Sequence, residues 1–166
     1  IFGNRYKRWI FKMRNMKTNR SIFLELIWND KFLPTGLDWG LLMLRSVSSF
    51  YLMALHGLKK IGGGQEDWQS LGKAGMSHFG IEFGHVYFGF LAAFSEGVLT
   101  VMIIAGFLTR PSALMVALTM FFAGSYHLNK GEDPESAFIY MIIFLFIFLV
   151  GPGRYSIDSM IKNWKS

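Results

Sequence analysis

The sequence predicts an all-α membrane protein built around a bundle of four transmembrane helices. Of its 166 residues, 52% are hydrophobic and 17% are aromatic, and the mean hydropathy is +0.32. The apolar residues are gathered into four runs separated by glycine, proline and charged residues. Because a helix rises about 1.5 Å per residue and the hydrocarbon core of a bilayer is about 30 Å thick, about 20 apolar residues are enough to cross it. We therefore expect one integral membrane domain.

Each apolar run is bounded by residues that begin or end helices. Glycines 62–64 end the first run, Pro111 favours a helix start, and the Gly-Pro-Gly at 151–153 ends the last run. Small and apolar residues recur at helical spacing in the polar connection between Lys59 and His85, which predicts a short extracytoplasmic helix between helices 1 and 2. The four predicted spans are Trp39 to Leu58, Val86 to Leu108, Ser112 to Leu128, and a fourth helix that starts at Asp133 and Pro134 and ends at Val150.

The N-terminal segment differs in character from the four spans. Residues 1–20 contain seven Lys and Arg residues interleaved with aromatic and apolar ones, a pattern that suits either an anionic membrane surface or a disordered basic tail. Residues 21–33 are apolar, but they are too few and too charged to span, so we expect them at the interface or on a partner. The predicted division is a basic arm with an interfacial segment (1–38), a four-helix membrane domain (39–158) and a cytoplasmic tail (159–166).

The distribution of basic residues predicts the orientation of the chain. Outside the spans, twelve Lys and Arg residues lie in the N-terminal segment, the turn at Arg110 and the C-terminal tail, whereas four lie in the two opposite connections. By the positive-inside tendency, both termini are expected in the cytoplasm. The same tendency accounts for the net charge of +6, so we predict no binding of nucleic acid.

The residue inventory also limits the chemistry. There is no cysteine, so the chain offers no thiol and no cysteine ligand for an iron–sulfur cluster. No two of the four histidines have the i, i+4 spacing of a preformed helical metal site, and we predict no metal. Any redox role would then depend on a bound cofactor or a partner.

Two charged residues fall inside the predicted spans, Arg45 in the first and Glu96 in the second. A charge in the bilayer is costly unless it is paired, hydrated or neutralised. Arg45 lies 13 residues before the predicted outer end of helix 1, and Glu96 lies 10 residues after the predicted outer start of helix 2. At about 1.5 Å per residue their depths differ by about one turn. We therefore predict a buried Arg45–Glu96 pair.

Two interpretations of this pair stay open. In the first, the pair is structural and the histidines are ordinary interfacial residues. In the second, a polar pocket that opens at the outer face ends at Glu96 and holds a small polar ligand or a quinone headgroup. The residues expected to line this pocket are His56, His85, Glu96, Thr100 and His127. The sequence assigns no catalytic residue.

Several short motifs, in order, resemble the DoxX family. The first group comprises Arg45, the segment His56-Gly57-Leu58-Lys59-Lys60, and the second-helix segment Gly89 to Glu96. The connection Trp68 to Ile81, the turn Gly106 to Pro111 and His127-Leu128 with Gly131 follow the same pattern. The final signature runs from Gly151 to Asp158. Its family-type positions, together with those of the earlier motifs, are Gly57, Lys60, Arg110, Gly151, Pro152, Gly153, Arg154, Tyr155 and Asp158.

This resemblance implies a multi-pass protein of the bacterial cytoplasmic (inner) membrane, of a kind often described as an oxidoreductase component. Relatives of this kind include a subunit associated with thiosulfate:quinone oxidoreduction. Our first hypothesis is a subunit without autonomous catalysis that docks or scaffolds a membrane-associated redox or envelope complex. The alternative is a quinone-linked oxidoreductase subunit with its polar pocket at Glu96. The candidate cofactor is quinone, and the expected partners are the lipid bilayer and other membrane or membrane-associated subunits.

Overall fold

A computed structural model describes residues 36–164 of the chain. The chain divides into two compact units, residues 1–37 and 38–166, and the account below concerns the second unit and the helix that leads into it. The predicted basic arm and interfacial segment lie outside the described residues.

The described part of the chain is helical and contains no strand. Its helices are α1 (Gly36–Ile61), α2 (Gly64–Met76), α3 (His85–Ala105), α4 (Thr109–Lys130), α5 (Glu135–Val150) and α6 (Ile157–Trp164). Among residues 36–164, three helices are long and apolar enough to cross a membrane, namely α1, α3 and α4. Helix α5 has 16 residues, about 24 Å of helix, so the expected fourth crossing stays a prediction.

Two of these helices contain a π-helical turn, and the two turns face each other. In α1 the turn is Met53–Gly57, and in α3 it is Ser95–Leu99. A Cβ atom at Gly57 would lie 2.5 Å from the carbonyl carbon of Glu96 and 2.8 Å from the Cα of Gly97. Only glycine therefore permits this backbone-to-backbone crossing of α1 and α3.

Helix α2 folds back along the first turns of α3. A Cβ atom at Gly89 would lie 2.8 Å from the Cα of Trp68. The ring centroids of Trp68 and Phe90 are 4.9 Å apart. A helix is thus present in this connection, and it covers the part of α3 that precedes the crossing with α1. Its extracytoplasmic location stays a prediction. As a result, α3 begins 11 residues before Glu96, about 16 Å beyond the level of Gly57.

The hydrophobic core lies where α1, α3, α4 and α5 meet. Its fully buried members include Leu52, Ile103, Val116, Phe144 and Ile147. Many other large apolar side chains on the same helices are exposed, as expected of helices whose outer faces contact lipid rather than water. The protein is therefore in contact with the bilayer through several apolar helices.

Candidate functional site

Glu96 forms a bidentate ion pair with Lys60. The Lys60 Nζ donates to Oε1 at 2.6 Å and to Oε2 at 2.7 Å. The carboxylate side chain is 1% exposed, whereas that of Lys60 is 28% exposed. The pair thus joins the end of α1 to the middle of α3, and its cation is partly exposed at the protein surface.

The crossing of the two helices positions this pair. Gly57 brings the end of α1 against the Glu96 backbone, and Lys60 follows one turn later on the same helix. The Lys60 carbonyl accepts a hydrogen bond from Trp68 Nε1 at 2.9 Å, which ties the ammonium-bearing residue to α2. Thr100 donates through Oγ1 to the Glu96 carbonyl at 2.7 Å. We define Lys60, Glu96 and Thr100 as the Glu96 site.

Arg45 occupies a second buried site. Its side chain is 1% exposed, and its two terminal nitrogens donate to backbone carbonyls, Nη1 to Pro152 at 2.7 Å and Nη2 to Tyr155. The Arg45 Nε has no hydrogen-bond partner among the described residues. The guanidinium therefore binds the polypeptide that follows α5 and holds it against α1.

The segment Gly151 to Asp158 also ends in a helix cap. The Asp158 carboxylate accepts hydrogen bonds from the N–H groups of Leu108 and Thr109, both at 2.9 Å, and from the Thr109 hydroxyl at 2.8 Å. These donors lie at the N-terminus of α4, where a carboxylate also interacts favourably with the helix dipole. The segment thus contacts both α1, through Arg45, and α4, through Asp158.

The expected Arg45–Glu96 pair is replaced by these two separate contacts. Glu96 lies at the level of Gly57, which is 12 residues and about 18 Å along α1 from Arg45. The predicted pair requires the outer ends of helices 1 and 2 to lie at the same level. In the structure the start of α3 extends beyond the end of α1, because α2 packs on the first turns of α3. Glu96 therefore lies beside Lys60, near the end of α1, and not beside Arg45.

The five residues expected to line a ligand pocket have different surroundings. His56 is exposed, the His85 Nε2 lies 3.0 Å from the Ile81 carbonyl, and the His127 Nδ1 lies 2.7 Å from a Glu132 carboxylate oxygen. Within residues 36–164, no hydrogen bond or ion pair joins any of these histidines to Glu96. Of the other four expected pocket residues, Thr100 is the one hydrogen-bonded to Glu96 within residues 36–164, through the Glu96 backbone carbonyl. The shared pocket stays a prediction.

Lys60 is the site residue that the sequence analysis does not pair with Glu96. It belongs to the family-type Lys59-Lys60 motif, but the predicted partner of Glu96 is Arg45. The small residues Gly57 and Gly97 carried the available signal, because two glycines on facing helices permit a close crossing one turn from Lys60.

Among residues 36–164 there is no group of three or more His, Asp or Glu side chains that could hold a metal ion.

The fold and these two sites define a multi-pass α-helical membrane protein with a buried charge at each of two levels. The DoxX family profile matches residues 40–128, more than half of the chain. The chain therefore belongs to the DoxX family. The match includes Arg45, Lys60 and Glu96, whereas the segment Gly151 to Asp158 lies beyond it. No curated protein and no solved structure matches the chain.

Proposed function

We propose that this DoxX-family protein is a membrane subunit without catalysis of its own, which docks or scaffolds a membrane-associated redox or envelope complex. The proposal is supported by the observation that both buried charges bind other groups of the same chain. Lys60 donates to both oxygens of Glu96, and backbone carbonyls accept hydrogen bonds from both terminal nitrogens of Arg45. Each charge joins segments that are distant in sequence, a role suited to holding a helical framework in register.

The proposed topology has four spans, with both termini in the cytoplasm of a bacterial inner membrane and α2 on the opposite side. The apolar composition of α5, whose only charged residue is Glu135 at its start, supports the fourth crossing. Because the chain has no cysteine, single cysteines at Lys73 and Lys162 can be labelled selectively. We expect an impermeant maleimide to reach Lys73→Cys from the periplasm and Lys162→Cys only after permeabilisation; labelling of both from one side contradicts the topology.

The proposed docking element is residues 1–33, which carry eight Lys and Arg residues among apolar and aromatic ones. This composition is complementary to an acidic membrane-associated subunit as well as to anionic lipid. The full chain is purified from native membranes in mild detergent, unaltered or with Arg5, Lys7 and Arg8 changed to Gln. We expect a partner in fixed stoichiometry with the unaltered chain and its loss from the variant.

A control variant changes two lysines elsewhere in the chain. Lys59 and Lys73 are exposed, and Lys59→Gln with Lys73→Gln should leave the partner bound. Repeated isolation of the chain alone from native membranes contradicts the docking function. Equal recovery of the partner with the Arg5, Lys7 and Arg8 variant contradicts the assignment of the docking element.

A quinone-linked role is the second candidate, and the paired π-helical turns favour it. π-helical turns inside α-helices occur frequently at functional sites. Glu96 belongs to the turn in α3, its backbone faces Gly57 in the turn of α1, and its cationic partner is partly exposed. This candidate predicts that Glu96→Gln lowers quinone-dependent electron transfer in the native complex at least tenfold and removes co-purifying quinone. Unchanged electron transfer in an intact complex contradicts the quinone-linked role and leaves docking as the remaining proposed function.

A further inference from the structure

A cleft of about 490 Å³ lies at the N-terminal end of α4. Its lining includes Thr109, Arg110, Pro152, Ser159 and Lys162. It is an open cleft lined by the start of α4, the segment after α5 and the first turns of α6. A volume of this size is within the usual range for small-molecule sites.

Two cations give this cleft its charge. Arg110 and Lys162 both line it and both are exposed, and neither makes an ion pair with any residue of 36–164. The cleft is also lined by Asp158, whose carboxylate accepts hydrogen bonds from Leu108 and Thr109. Two cations and one carboxylate give the lining a formal charge of +1, which suits a phosphate.

The position of the cleft in the membrane favours a lipid as the source of that phosphate. It lies where α3 has ended, α4 begins and α5 has just ended, so it is at the end of apolar membrane helices rather than along them. Phosphate headgroups occupy this level of a bilayer. Basic pockets between transmembrane helices are known to bind anionic headgroups.

Helix α6 supplies an apolar surface beside the cleft. Ile157, Met160, Ile161 and Trp164 recur at the i, i+3, i+4, i+7 spacing of one helix face. They are 40%, 70%, 37% and 90% exposed, respectively. A short helix with such a face, a tryptophan and a lysine is typical of an interfacial helix that inserts its apolar side among acyl chains.

We propose that this cleft binds one anionic phospholipid, with its phosphate between Arg110 and Lys162 and its acyl chains along the apolar face of α6. This proposal is independent of the proposed docking function, since it requires only that the protein lie in a bilayer. It also explains why the two cations of the cleft are left without acidic partners among the described residues.

Native mass spectrometry of the full chain in neutral detergent tests the proposal, with phosphatidylglycerol, phosphatidylcholine or inorganic phosphate added. We expect one phosphatidylglycerol per chain and no retained phosphatidylcholine. Since a cation near a membrane surface contributes about a fivefold factor in affinity, Arg110→Gln or Lys162→Gln should weaken binding about fivefold, and the double variant roughly 25-fold. Lys59→Gln with Lys73→Gln, which changes exposed lysines outside the cleft, should have no effect.

A third variant separates a lipid from a soluble anion. Met160→Gln makes the α6 face polar without touching the cations, so it should weaken phosphatidylglycerol binding. Two results overturn the proposal: phosphatidylglycerol binding that the double variant leaves unchanged, or inorganic phosphate that binds in its place and is insensitive to Met160→Gln. Lys162→Gln alone replaces an exposed side chain, so it keeps the test valid if the Arg110 variant fails to fold.

Discussion

The ion pair between Lys60 and Glu96 makes an asymmetric prediction about stability. At 2.6 Å and an effective permittivity of about 20, the attraction is about 6 kcal/mol before the cost of removing both groups from water. Removing one partner of a buried pair costs about 3–5 kcal/mol, since the remaining charge stays buried. We expect the lower end, about 3 kcal/mol, for Lys60→Met, because Lys60 is 28% exposed and part of the attraction is screened.

The opposite substitution should cost less. In Glu96→Gln the remaining ammonium belongs to a partly exposed side chain at the end of α1, so we expect a cost of about 1 kcal/mol. The double variant buries no charge and should also cost about 1 kcal/mol. Adding Glu96→Gln to Lys60→Met therefore restores about 2 kcal/mol. This restoration distinguishes a charge pair from two independent packing losses.

Unfolding of the purified chain in mixed micelles by added denaturing detergent measures these free energies. In thermal scans, 3 kcal/mol corresponds to a decrease in Tm of roughly 6–12 °C for a chain of this size. The control is Lys59→Met, which changes the neighbouring exposed lysine and should lie within about 0.5 kcal/mol of the unaltered protein. A double variant at least as unstable as Lys60→Met refutes the reasoning.

The same unfolding assay tests three further predictions. Gly57→Ala forces apart the backbones at the α1–α3 crossing and should cost about 1–3 kcal/mol, whereas Gly40→Ala, with nothing within 4 Å of its Cβ, should be near neutral; equal costs contradict the crossing. Asp158→Asn weakens the cap of α4 and should cost about 1–2 kcal/mol; an unchanged free energy contradicts the capping role. Arg45→Lys replaces the planar guanidinium, which donates to two carbonyls at once, with a single ammonium, and it should cost about 1–3 kcal/mol. Full stability of this variant would show that the second carbonyl contact is dispensable.

The element types followed from the sequence because they depend on local signals. The apolar runs and their bounding glycines and prolines predicted the helices, including the one between α1 and α3. The predicted start of α5 was also close: Asp133 accepts a hydrogen bond from the N–H of Glu135, and the helix begins at Glu135. Asp133 thus lies just before the helix, with Pro134 between them.

The contacts between helices did not follow, because they depend on how far each helix extends past its neighbour. The sequence identified Arg45 and Glu96 as the buried charges, and both are 1% exposed. It aligned them by the ends of the apolar runs, whereas the alignment is set by Gly57 at the crossing and by α2 on the first turns of α3. Both are tertiary contacts with no periodic signature, so the partner of Glu96 was misassigned.

Arg45 acquires its partners late in synthesis. The carbonyls that accept hydrogen bonds from its guanidinium lie 107 and 110 residues further along the chain. At about 5–20 residues per second, roughly 5–20 s separate the translation of α1 from that of Pro152. Throughout that interval the first helix carries a charge that its final contacts do not yet satisfy. The contacts of Arg45 are therefore completed only after α1 to α5 have been translated, and a chain that ends before Pro152 lacks the carbonyls that accept its hydrogen bonds.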